Sequence, residues 1–304
     1  MKPSVVLISL IYFCAFSCLA NEVQIPLLMI KGANWSVEEL AYIKQLNHKG
    51  SLKVATKISS AIYQPHKDGS VTGFHYSVLK EFADLAKIEL DIELVSWNDY
   101  FYKEGEDIEK VKVDPNYSYV PTLIERVDLY LDGITRLAWR EKMFDIVKFV
   151  PTRQMIVSRF DNKPTQASAL NNKTCAMVKN SSMEENLKKI KRQNQIDFSC
   201  LYTEDFNAMD KMVSEGQADF TVFDSDRAFS AVATYKNLTI AWPISEPQIM
   251  GWAINKKNRL LKGILDKYIK YAHESAILDK YWKRSYGVTF VEYMNVLNLG
   301  GAKH

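Results

Sequence analysis

The chain has little that would support metal or nucleophilic chemistry. Its five histidines, His48, His66, His75, His273 and His304, are scattered, with no HExxH pair, no paired-cysteine spacing and no GxSxG elbow. The usual zinc-protease and serine-hydrolase signatures are therefore excluded, and no catalytic residue, metal or cofactor is expected. Charge of one sign is also scarce. A net charge of +3 with interspersed signs excludes the broad basic field that nucleic acid or an anionic membrane would call for. No short repeat is present. The apolar run from Val5 to Phe16 falls short of the roughly 20 residues a membrane span requires. Cysteines number only four, Cys14, Cys18, Cys175 and Cys200.

The first twenty residues read as an export signal. Lys2 gives the positive start, Val5 to Phe16 the apolar stretch, and Cys18-Leu19-Ala20 the small-residue ending before a cut at Asn21. The expected destination is the periplasm. An uncleaved anchor and a lipoprotein acylated on Cys18 are the alternatives, the latter disfavoured because no leucine lies three residues before the cysteine. Cys175 and Cys200 then remain, in strand-like segments (TCAMV and DFSCLY) that flank one helix. Two outcomes are open: a bridge between neighbouring strands in an oxidising compartment, or two buried thiols.

With 304 residues, 47% of them hydrophobic, two cores are expected. A capping box at Ser36 to Glu39 starts a short helix within an N-terminal extension (21–50). From Leu52 the pattern alternates strand and helix, which predicts α/β architecture with mainly parallel sheets flanked by helices. The reading divides the chain into a first lobe (51–151), a second lobe (152–247) and a return to the first (248–304). Phe101 to Tyr119 reads as a solvated insertion. The tail GVTFVEYMNVL has no assigned role.

The most informative stretch is VDLYLDGITRLAWREK, Val127 to Lys142. A glycine permits close approach of a ligand, a threonine hydroxyl donates one hydrogen bond, and an arginine fork grips a carboxylate through two parallel bonds. Gly133, Thr135 and Arg140 thus form a candidate carboxylate clamp. In GQADFTVFDSD the apolar strand ends on Asp224, an acceptor suited to an ammonium group. A cation from one half and an anion from the other is what a free amino acid requires.

In the order and spacing of LKVAT, VTGFHYSVLKEFADLAKIELDIELVSW, VPTLIERVDLYLDGIT and GQADFTVFD, the chain resembles the family 3 periplasmic solute-binding proteins of the polar amino-acid receptor type. The resemblance implies a two-lobe periplasmic-binding-protein-like (type II) fold and a hinge near Phe149 to Pro151. It implies a monomer that closes on an amino acid or carboxylate and presents it to an ABC permease or a sensor protein. By the same resemblance Gly133, Thr135 and Arg140 hold the carboxylate, Asp224 the ammonium, and Trp97 and Tyr63 line the side-chain pocket. Ser182, with Ser181, stands at a helix start suited to an anion. Asp224 has two other readings, a helix cap or a partner of Arg227. Lys57, if it faces the cleft, opposes a cationic ligand side chain. Leu137 and Asn180 depart from the family pattern, and in Gly73-Phe74-His75 the histidine stands where the family usually has the aspartate of GFD. The expectation is a binding protein rather than an enzyme. A dehydratase-type enzyme on the same fold and a docking protein with a degenerate site are the rivals.

Overall fold

The computed structural model describes residues 24–299, so the export signal lies outside the described residues. Helix α1 (Val37–Lys49) starts at the capping box, Ser36 accepting from the Glu39 amide and Glu39 from the Ser36 amide. It ends on Gly50 in the left-handed region. Strand β1 (Ser51–Thr56) follows, then a two-residue hairpin, β2 (Gln64–Pro65) and β3 (Val71–Thr72), and helix α2 (Phe74–Ala86). Gly73 makes this entry possible. Its φ is +129°, and a Cβ there would lie 2.3 Å from the Ile62 carbonyl oxygen, so only glycine lets α2 begin beneath the turn from Ser59 to Tyr63.

Next come β4 (Glu89–Leu94), α3 (Ile108–Val113), α4 (Thr122–Arg126), β5 (Leu129–Thr135), α5 (Ala138–Met143) and β6 (Asp145–Thr152). After β7 (Gln154–Arg159) the alternation resumes with β8 (Thr174–Val178), α6 (Ser182–Asn194), β9 (Ser199–Thr203), α7 (Phe206–Ser214), β10 (Phe220–Asp224), α8 (Ser225–Thr234) and β11 (Leu238–Pro243). Strand β12 (Gln248–Ile254) and helices α9 (Arg259–Glu274), α10 (Ile277–Tyr286) and α11 (Phe290–Leu299) complete the order.

Two five-stranded sheets result, ordered β4-β1-β5-β12-β6 and β11-β7-β10-β8-β9. Both are mixed. Strands β4, β1 and β5 run parallel, as do β9, β8 and β10, while β12, β6, β7 and β11 add antiparallel pairings. These antiparallel strands flank the crossings between sheets, which is why strand alternation alone does not reveal them. The chain passes between lobes through Arg153 and again between Pro243 and Gln248.

Helix α9 lays Leu261, Ile264, Leu265, Tyr268, Ile269 and Ala272 on the first-lobe core. On the other face of that lobe's sheet, Trp97, Phe101 and Trp139 join the second-lobe core, with Trp97 meeting Phe206 at 5.4 Å between ring centroids. Apolar burial is thus continuous across the cleft. The 101–119 segment is no free loop: Val111 is buried, the Lys142 ammonium donates to the Val111 and Asp114 carbonyls at 2.7 and 2.6 Å, and Lys112 reaches Asn180 of the second lobe at 2.8 Å. Among the described residues no helix is long and apolar enough to cross a membrane. The cysteines of β8 and β9 are paired in register and bridged, Cys175 to Cys200.

Candidate functional site

The first-lobe wall of the cleft is built by the C-terminal ends of parallel strands. Lys57 follows β1, and Asp132, Gly133 and Thr135 end β5, so the pleat and the strand ends aim them at the second lobe. The second-lobe wall is built by two helix starts, Ser181 to Met183 at α6 and Asp224 to Arg227 at β10–α8. Between the walls lies a cavity of about 50 Å³, also touched by Trp97, Phe206 and Met250.

Arg140 on α5 is completely buried and faces this cavity. Its guanidinium donates to the Thr135 carbonyl at 3.0 Å and, across the cleft, to the Asn180 carbonyl at 3.2 Å. It also lies over the rings of Trp97, Phe101 and Trp139. Its Nε has no partner. Burial brings its pKa down to about 10, with Glu185, Asp224 and Asp132 resisting the shift, so it stays a cation at neutral pH. Asp224 faces it across the cavity. Burial and the like charge of Asp226 push its carboxyl up to about 7 against the pull of Arg140 and Lys57. Its nearest donor is the Thr152 hydroxyl at 3.5 Å.

Both alternative readings of Asp224 fail. Its side chain makes no capping bond to α8, and Arg227 pairs instead with Asp210 at 2.5 Å. Ser181 takes the capping task on α6, accepting from the Glu184 amide, which frees Ser182. The Ser182 hydroxyl meets the Thr135 hydroxyl at 3.0 Å and accepts from Gln154 at 2.8 Å. Lys57 does face the cleft, over the rings of Trp97 and Phe206, yet its charge is matched by Asp132 at 2.5 Å. The structure therefore brings Lys57, Trp97, Gly133, Thr135, Arg140, Ser182 and Asp224 to one cavity.

Tyr63 is a correction. Its ring packs edge-on against Tyr76 at 5.3 Å, and it is not among the cavity-lining residues. The cause is the turn closed by the Ser59–Tyr63 bridge, which offers Ser59, Ala61 and Ile62 to the cavity instead. His75 is wholly buried, accepts from the Trp252 indole at 3.0 Å, and is held neutral by burial and by Lys57, its pKa lowered to about 3.

Asp132, Phe206 and Asp226 were not anticipated at the cavity, and Arg227 only as a partner of Asp224. Asp226 is 3% exposed, lines the cavity and has an unpartnered Oδ1. The D-S-D run at 224–226 carried the only signal for it. Asp132 had none, because its role depends on Lys57, 75 residues earlier.

No family model matches the chain. In sequence it is similar to membrane-bound lytic murein transglycosylase F of Pseudomonas fluorescens (strain Pf0-1), 27% identical over 285 residues, covering 90% of this chain and 52% of that protein. The protein of the same name from Ectopseudomonas mendocina (strain ymp) is 26% identical over 280 residues, covering 91% and 53%. The chain spans about half the length of the curated relatives it matches.

Among solved structures it is similar to the amino acid ABC transporter substrate-binding protein AbpA of Streptococcus pneumoniae bound to L-arginine, with a TM-score of 0.65 at 20% identity, covering 80% of this chain and 98% of that one. A second is the ancestral amino acid-binding protein AncCDT-1, a precursor of cyclohexadienyl dehydratase, with a TM-score of 0.64 at 19% identity, covering 81% and 99%. At these identities the likeness establishes the fold, that of two-lobe solute-binding proteins. The expectation that the chain stands apart from enzymes is corrected by the sequence relatives, which are named as enzymes.

Proposed function

We propose that the chain is an exported ligand-binding module that closes its two lobes on a free amino acid or a close analogue. Arg140 grips the carboxylate with Thr135 and the Gly133 backbone, and Asp224 takes the ammonium. One observation carries this reading: a buried cation and a carboxylate face the same cavity from opposite lobes, and neither forms an ion pair with another described residue. Such groups are costly to bury unless a ligand completes them.

The relatives' names favour a use tied to murein over delivery to a permease. In this reading, closure of the lobes regulates or positions a murein-cleaving activity, carried on the same polypeptide or on a partner. A thermal-shift screen of the twenty amino acids and of small murein fragments tests the binding. At a hundredfold excess over Kd the matching ligand should raise Tm by about 5–10 °C; Asp224→Asn should abolish the shift and Arg140→Lys should reduce it. Absence of stabilisation by any of them sinks the proposal and favours a docking role with an unused cleft.

A further inference from the structure

Charge matching inside the cavity goes further than one zwitterion. Six ionisable side chains line it: Lys57, Asp132, Arg140, Asp224, Asp226 and Arg227. Lys57 is matched by Asp132, and Arg227 by Asp210. Arg140, Asp224 and Asp226 remain without an ion-pair partner among the described residues, leaving one cation against two carboxylates. The excess negative charge is well placed to be read by a ligand. Asp226 is 3% exposed and lines the cavity; its Oδ1 forms no hydrogen bond of good geometry, the buried Tyr286 hydroxyl lying beside the carboxyl, and the Arg140 Nε likewise has no acceptor. Burial of an unpaired acceptor is unfavourable, so an occupant that donates to it gains where an apolar side chain would not. Lys57, being neutralised, does not oppose a cationic side chain.

Size supplies the second restriction. A cavity of about 50 Å³ has room for about four waters, on the order of 120 Å³ of liquid-like volume. That suits a side chain of two or three atoms and not a long one.

We propose that the occupant is a short diamino monocarboxylic acid, its α-groups held by Arg140 and Asp224 and its second ammonium by Asp226. The inference rests on the amino-acid reading above, and the test separates the two. Diaminobutyrate, its apolar isostere norvaline and its neutral-donor isostere homoserine are titrated calorimetrically into the wild-type chain, with lysine and arginine as long controls. Diaminobutyrate should bind at least about tenfold more tightly than either isostere and more tightly than both long amino acids. Asp226→Asn should remove that advantage while leaving norvaline affinity within about threefold. Asp226→Ser, which keeps a side chain able to accept from the α8 amides, serves as the second variant if the amide form does not fold. Equal binding of diaminobutyrate and norvaline, or a wild-type preference that survives in the Asp226 variants, overturns the diamino assignment and leaves the amino-acid reading standing. Tighter binding of lysine or arginine overturns the size restriction. Binding of none of the five overturns the diamino assignment, and the screen of the twenty amino acids then decides the amino-acid reading by itself.

Discussion

At Asp224 and Asp226 two carboxyls are raised above their ordinary range, to about 7 and about 6, with burial the largest cause in each. Both therefore bind protons more tightly in the folded chain than in the unfolded one. Between about pH 4 and pH 7 the folded state holds the extra protons, so these groups lower stability as pH rises across that window. Asp224→Asn should consequently stabilise the ligand-free chain at pH 8 by roughly 1–3 kcal/mol while abolishing ligand binding, as chemical denaturation and calorimetry would show. A destabilised variant would mean that Asp224 already has its partner. Ligand ammonium groups favour the ionised carboxylates, so affinity should fall as pH drops below about 7. The decline should approach about tenfold per pH unit for each proton taken up, and a flat profile from pH 8 to pH 5 would place the ammonium elsewhere. Arg140→Lys keeps the charge but loses the planar fork that donates to both the Thr135 and the Asn180 carbonyls. A loss of at least about tenfold in affinity is expected.

The elements that hold the site are tied together more closely than their sequence order suggests. Helix α11, whose segment carried no assigned role, inserts Tyr293 beside the hinge. Its hydroxyl donates to the Pro151 carbonyl at 2.7 Å and meets the Ser225 hydroxyl at 2.7 Å. Ser225 in turn meets the Thr152 hydroxyl at 3.1 Å, and Thr152 is also the donor nearest Asp224. A buried hydroxyl chain thus runs from the last helix to the cavity. Tyr293→Phe should cost about 1–2 kcal/mol of stability and weaken ligand binding, since Ser225 and Thr152 would redistribute their protons. Unchanged affinity would confine Tyr293 to packing. The Cys175–Cys200 bridge joins adjacent strands across a separation of 25 residues and should add about 3.5 kcal/mol in the loop-closure picture. Reduction should lower Tm by several degrees without abolishing binding, because neither cysteine lines the cavity.

The molecule as described is closed. Ser60 meets Ser230 at 2.8 Å, Asn207 donates to the Ile58 carbonyl at 3.2 Å, and Trp139 donates to Glu185 at 3.1 Å, all between lobes. Closure buries the Arg140 Nε and the Asp226 Oδ1, polar atoms that a matching ligand would pair. Small-angle scattering should therefore show a decrease in the radius of gyration when ligand is added. An identical value with and without ligand would mean that closure is decided by the direct contacts alone.

Much of this was legible in the chain itself. Strand-and-helix alternation fixed the α/β class, the Ser36 box and Gly50 fixed α1, and the glycine, threonine, arginine and aspartate at 133, 135, 140 and 224, picked out by residue type, line one cavity. Local chemistry sufficed there, since periodicity, capping and residue type are properties of short segments. Which charges stay unpaired was decided only by tertiary structure. Lys57 finds Asp132 and Arg227 finds Asp210 at 2.5 Å each, while Asp226 forms no ion pair among the described residues and Tyr63 turns onto Tyr76. A residue carries its charge in the sequence, but whether that charge is neutralised depends on distant groups that the fold alone brings within a few ångströms.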